Sequence, residues 1–144
     1  MIPVRYTCRG SDVSPPLQWQ DIPHGTQSLA LIVEDADASE PGEPDSAWVH
    51  WLVYNLPPNC QQLGEGIQPS TLPKGAQLGL NDWKAVDYCG PCLVNGRHHY
   101  RYTLYALDTV LPNLGNVSKR KLFKLMQPHI LATSKLIGVF ESNT

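Results

Sequence analysis

Proline and glycine punctuate this chain along its whole length, thirteen of the first and eleven of the second in 144 residues. Proline fixes φ and lacks a donor N–H, so helix interiors and central strand positions reject it. Ser14-Pro15-Pro16, Pro23-His24-Gly25, Glu40-Pro41-Gly42-Glu43-Pro44 and Pro57-Pro58 therefore mark turns or loops. The segments left between them suit strands better than long helices. The sequence predicts a mainly β chain with many turns.

Four segments read as strands. Ser28–Val33 is short, apolar and partly β-branched, as befits a strand buried on both faces. Trp48–Leu56 ends at Pro57, and a period of two puts Trp48, His50, Leu52 and Tyr54 on one face. In His98–Leu107 the same rule groups His98, Tyr100, Tyr102 and Leu104. Leu136–Phe140 is the expected last strand. One helix is expected with Ser118 as its N-cap, running through Leu122, Leu125 and Met126 and kinked or restarted by Pro128. Residues 7–27 and 59–97 read as turns and loop, the second with short strands. No repeat or boundary divides residues 1–144, so one domain is expected.

Hydrophobic residues make up 42% of the chain, enough for one core. A net charge of -2 gives no basic face for nucleic acid. The longest apolar runs, Leu29–Val33 and Trp51–Tyr54, are far short of a membrane span. Met1-Ile2-Pro3-Val4-Arg5-Tyr6 lacks the charged head and apolar core of a secretory leader. The expected location is cytoplasmic, with thiols reduced by default.

Cys89-Gly90-Pro91-Cys92 looks like the dithiol of a redox enzyme, but that chemistry needs a helix N-terminus behind the first cysteine. Here Leu93-Val94-Asn95-Gly96 leads into a strand instead. A structural zinc on Cys89 and Cys92 could take only one of His98 and His99, which point to opposite strand faces, and would need a fourth ligand such as Cys8 or Cys60. The plain reading is two loop thiols.

A second constellation is more informative. Asp35 and Asp37 follow a buried strand and face the same way if the chain stays extended, although such a pair also suits a solvated turn. His50 lies in an apolar strand, where a hydrogen-bonded core histidine is the ordinary outcome. His98 and Tyr100 share a face. Taken singly, none of these makes a site.

In order along the chain, they do. Tyr6-Thr7-Cys8, Val13-Ser14-Pro15-Pro16-Leu17, Asp35-Ala36-Asp37-Ala38, Trp48-Val49-His50-Trp51, Asn55-Leu56-Pro57, Gly90-Pro91-Cys92 and Gly96-Arg97-His98-His99-Tyr100 form one series. Through these residues the chain resembles the phosphatidylethanolamine-binding protein family, also called Raf-kinase-inhibitor-like proteins, and above all its bacterial and archaeal branch. The resemblance implies a mainly β fold of two antiparallel sheets, a β-sandwich with a few peripheral helices. It implies a ligand-binding pocket made by Asp35, Asp37, Trp48, His50, Gly90, Cys92, His98 and Tyr100. Expected ligands are phosphate, acetate or a phosphorylated head group, with no metal and no cofactor. A protein kinase or protease, inhibited by the ligand-binding surface, and a second copy in a homodimer are the further partners it suggests.

The chain departs from the family pattern in places. Ala36 and Ser39 replace prolines around the acidic motif, Leu93 and Val94 replace a Pro-Pro, and His99 replaces an arginine. By the same resemblance the chain is expected to start later than typical members, without their N-terminal strand. Carboxylates in an anion pocket make sense if each accepts a histidine ring N–H, leaving the other ring nitrogen to the anion once a proton is present. Neither Ser39 nor Ser46 is placed beside a histidine by a recognisable spacing, so a non-catalytic binder is expected. The rival is a metal-dependent phosphate-ester hydrolase with Asp35, Asp37, His50 and His98 as ligands.

Overall fold

A computed structural model describes residues 1–38, 46–93 and 95–143. Among these residues seven strands and one α-helix follow in order: β1 (Leu17–Gln18), β2 (Ser28–Asp35), β3 (Trp48–Leu56), β4 (Gln62–Leu63), β5 (Gln77–Leu78), β6 (Asn95–Leu107), α1 (Lys119–Met126) and β7 (Ile130–Asn143). β5-β3-β2-β6-β7 form one antiparallel sheet, and β1-β4 form a second of two strands. The expected fold class is the one observed.

β2 is the central strand, and all eight of its residues are buried. Its two faces feed two separate clusters. Leu29, Leu31 and Val33 pack with Trp51, Val53, Tyr100, Tyr102 and Leu63 of the small sheet. Ala30 and Ile32 pack on the other side with Leu52, Tyr54 and, from α1, Leu122 and Met126. A strand covered on both faces has no alternation to show, which is why Ser28–Val33 reads as a continuous apolar run.

α1 starts where Ser118 accepts the Lys121 N–H at 3.4 Å, the expected cap. Leu122 and Met126, four apart, lie wholly buried against the sheet. Pro128 restarts the chain as a 3-10 turn, Gln127–His129. Glu34 on β2 fixes this layer, accepting from Arg101 Nη2 of β6 at 3.2 Å and from Lys119 at the start of α1. Leu122→Ala is expected to cost about 2.5 kcal/mol through lost burial and the cavity left. At a typical m of about 2 kcal/mol/M the urea midpoint should fall by roughly 1.2 M, and an unchanged midpoint would mean that α1 does not cover this core.

The last strand is much longer than Leu136–Phe140. β7 pairs with β6 from Ile130 to Asn143 along one side of the sheet. As an edge strand it leaves Leu131, Leu136 and Ile137 exposed, so backbone pairing rather than apolar pattern defines it. Among the described residues no helix is long and apolar enough to cross a membrane.

Candidate functional site

β3 does not keep its period. Val33 pairs with Trp51 and Glu34 with Val49, so His50 is the extra residue of a β-bulge. Val49 therefore packs with Leu52 and Tyr54, whereas Trp51 and Val53 belong to the opposite cluster. The expected common face of Trp48, His50, Leu52 and Tyr54 is split. His50 instead meets Tyr100, with ring centroids 5.3 Å apart. The bulge is held by Asp82, whose Oδ2 accepts the Val49 N–H at 2.6 Å.

His50 is almost wholly buried. Its Nδ1 lies 2.5 Å from the Cys89 carbonyl. A carbonyl can only accept, so Nδ1 carries the hydrogen and Nε2 is the ring nitrogen left for a ligand. Burial pushes the His50 pKa down, against the opposing pull of the Cys89 carbonyl and the Asp35, Asp12 and Asp82 charges. His50 is a neutral imidazole at pH 7.

β6 keeps its alternation. Tyr100 and Tyr102 enter the core, and His98 reaches Asp35, with Nδ1 2.6 Å from Oδ2. Asp35, at the end of β2, is buried, and its Oδ1 also accepts the Asp37 N–H at 2.9 Å. That bond turns the chain, so Asp35 and Asp37 do not extend in parallel. Asp37 Oδ2 goes to His99 instead, accepting its backbone N–H at 2.6 Å and meeting its Nδ1 at 2.8 Å. Burial alone would push the Asp37 carboxyl up; the His99 bonds and the His99 and His98 charges outweigh it and hold it low. Each carboxylate thus takes an imidazole, and the pairs are Asp35–His98 and Asp37–His99. Tyr100 is pushed up by burial and by the Asp35 and Asp37 charges, so its hydroxyl stays a neutral donor.

The fourth wall is the loop before β6. Asn81 is buried and organises it: Oδ1 accepts from Trp83 N–H and Ala85 N–H, and Nδ2 donates to the Asp87 carbonyl at 2.7 Å and to Cys89 Sγ at 3.4 Å. Trp83 is brought edge-on to His50 at 4.8 Å and to Trp48 at 5.6 Å. Trp48 and Trp83 both stay substantially exposed, making an aromatic lip. Gly90 is buried, and its N–H is committed to Asp12 Oδ1 at 2.9 Å.

Cys92 pairs with Cys8 in a disulfide across 84 residues, with the Cα atoms 5.2 Å apart. The expectation of reduced thiols therefore holds for Cys60 and Cys89 and fails for Cys8 and Cys92. Proximity in the fold, not spacing in the sequence, selects the partner. It also removes Cys92 as a thiolate ligand for zinc. Among the described residues no three His, Cys, Asp or Glu side chains converge as a metal set.

Asp35, Trp48, His50, His98 and Tyr100 are brought together, with Gly90 and Cys92 on the loop behind His50 and Asp37 set aside with His99. Asn81, Trp83 and Asp12 belong to the same structure and carry no signal in the sequence, since they lie in aperiodic loops. Of the departures from the family pattern, Leu93 packs on the core and its carbonyl accepts from Arg9 Nη2. Ser39 and Val94 lie outside the described residues.

Known proteins share this arrangement of strands. A UPF0098 protein from Chlamydia muridarum is 44% identical over 142 residues, covering 99% of this chain and 91% of its own length. Another, from Methanothermobacter thermautotrophicus, is 43% identical, with 96% and 89% covered. A crystal structure of a phosphatidylethanolamine-binding protein homologue from Chlamydia trachomatis superposes with a TM-score of 0.87 at 42% identity, covering 99% of this chain and 90% of that one. Escherichia coli YbcL, described as a member of the mammalian PEBP family, gives 0.84 at 31%, with 94% and 84% covered. The phosphatidylethanolamine-binding protein family model matches residues 1–141, and the chain belongs to that family.

Proposed function

We propose that this protein is a non-catalytic binder of small, proton-bearing anions: phosphate, phosphate esters, phosphorylated head groups and acetate. One observation carries the reading. Two imidazoles flank Tyr100 with their Nδ1–H groups already spent, His50 on the Cys89 carbonyl and His98 on Asp35. Each is left with Nε2 for a ligand. In the neutral ring that nitrogen is an acceptor, so the complex needs a proton on the ligand or on His98. The Tyr100 hydroxyl adds a donor, and Asp35 fixes the His98 tautomer. The Trp48–Trp83 lip offers apolar surface to whatever carries the anion.

The site binds in the cytoplasm in this reading. Family membership supports a second layer, in which the ligand-bearing surface regulates a protein kinase or protease or pairs two copies. The non-catalytic reading rests on the sequence, in which neither Ser39 nor Ser46 has a recognisable spacing to a histidine.

The proton requirement sets a pH profile. A phosphate monoester has its second pKa near 6, so the monoanion falls from about half the ligand at pH 6 to about one part in a hundred at pH 8. His50 is a poorer source of that proton than a free imidazole, because burial holds its pKa down. Affinity for phosphoethanolamine should therefore weaken by roughly fiftyfold from pH 6 to 8. Titration calorimetry at pH 6, 7 and 8 checks this. A flat profile would sink the proton-bearing mechanism.

A further inference from the structure

The loop behind His50 is fastened to the N-terminal segment by one covalent bond and several weak ones. Cys8 N–H donates to the Pro91 carbonyl at 3.1 Å, Gly90 N–H to Asp12 Oδ1 at 2.9 Å, and Tyr88 Oη to the Tyr6 carbonyl at 2.7 Å. The Cys8–Cys92 bond closes the same seam. Between Tyr88 and Gly90 lies Cys89, whose backbone holds His50 at both ends: its carbonyl takes Nδ1, and its N–H donates to the His50 carbonyl at 3.2 Å. The bonded Cys92 thus lies three residues along the chain from Cys89, whose carbonyl sets the His50 tautomer.

Both bonded cysteines are exposed, so an external thiolate can reach them. We propose that Cys8–Cys92 is a reversible thiol–disulfide exchange site, addressed by a dithiol, whose state sets the anion affinity of the His50–His98 pocket. The inference rests on the pocket reading above. In the exchange, one thiolate of the dithiol attacks a sulfur of the bond and forms a mixed disulfide. The second thiol displaces it, leaving Cys8 and Cys92 as thiols and the dithiol as a disulfide, with two electrons and two protons transferred. Cys89 stays out of this chemistry, because burial and the Asp12 charge push its pKa up and outweigh the opposing Asn81 Nδ2 bond to its sulfur.

Once reduced, the seam depends on hydrogen bonds at a partly exposed surface, which exchange readily with water. The Cys89 carbonyl then ceases to be a fixed acceptor, and the His50 ring can turn or change tautomer. Exposed disulfides of this kind are the labile, regulatory class, and in a reducing compartment a persistent bond is unusual.

The test uses the full chain in three forms: oxidised, reduced with excess dithiothreitol, and Cys8→Ser. Inorganic phosphate is titrated by calorimetry at pH 6.5, with circular dichroism for the fold, alkylation mass spectrometry for the thiols and NMR of the His50 ring. We expect reduction to weaken phosphate binding by about tenfold and re-oxidation to restore it, within the range of ordinary coupling. Cys8→Ser should sit at the reduced value with or without reductant, its sheet spectrum intact. Equal affinity in the two redox states overturns the inference. So does global unfolding on reduction, which would make the bond a staple of the whole fold, or alkylation of Cys8 and Cys92 in the oxidised form. If the oxidised protein does not bind phosphate, the pocket reading has failed. The His50 ring then decides the fastening by itself: a shift on reduction supports it, and unchanged resonances overturn it.

Discussion

His98→Ala is expected to weaken phosphate binding by at least about a hundredfold while the protein stays folded. Two effects act in the same direction. The substitution deletes one of the two ring nitrogens left for the ligand, a charge-assisted contact worth roughly 1.5–3 kcal/mol. It also strips Asp35 Oδ2 of its partner at 2.6 Å, so that a buried carboxylate faces the incoming anion uncompensated. The stability cost is smaller. His98 is itself 29% exposed, and Asp35 keeps the Asp37 N–H on its other oxygen. Water can enter where the ring was, and a loss of about 1–3 kcal/mol follows. Calorimetry gives the affinity and a thermal melt the stability. A folded variant with the affinity of the parent would remove His98 from the site.

The sequence reveals most where a residue's neighbours lie on the same strand. Tyr100 and Tyr102 follow His98 at period two, and the face they define is the one observed. β2 is legible for a different reason: covered on both faces, it has to be apolar throughout. His50 shows where this kind of reading stops. Its environment comes from one extra residue in β3, and a bulge leaves no mark on hydrophobic periodicity. Only a resemblance that ties Trp48 and His50 together in one motif points to it as a site residue, and the structure sets its ring against Tyr100. The shared direction expected of Asp35 and Asp37 fails through a single local bond, since the turn closed by Asp35 Oδ1 competes with extended backbone and wins. Cys8 and Cys92 are 84 residues apart, and their meeting depends on how the N-terminal segment docks. The edge strand β7 is under-read because much of it is exposed, so its apolar residues do not recur with a period of two.

Gly90→Ala tests that docking directly. A Cβ at position 90 would lie 2.0 Å from the Tyr6 carbonyl oxygen, 3.0 Å from the Tyr6 carbonyl carbon and 2.7 Å from Asp12 Oδ1. A flexible side chain could swing clear, but two of these three atoms are backbone. The N-terminal segment must therefore move as a unit, yet Cys8–Cys92 ties it to the very loop that pushes it away. Overpacking ordinarily costs about 1–3 kcal/mol, and this seam should reach or pass the upper end, at about 3–4 kcal/mol. At roughly 2–4 °C per kcal/mol for a chain of this size, the thermal midpoint should fall by about 6–16 °C. Phosphate affinity should fall as well, because the displaced loop takes the Cys89 carbonyl off His50. The covalent tie makes a sharper prediction. If strain between two bonded segments is the cause, freeing them should relieve part of it, and residues that share a backbone shift do not behave additively. Cys8→Ser combined with Gly90→Ala should then lose less stability than the two single variants summed. Additive losses would show that the glycine is required for some reason other than the closeness of this seam.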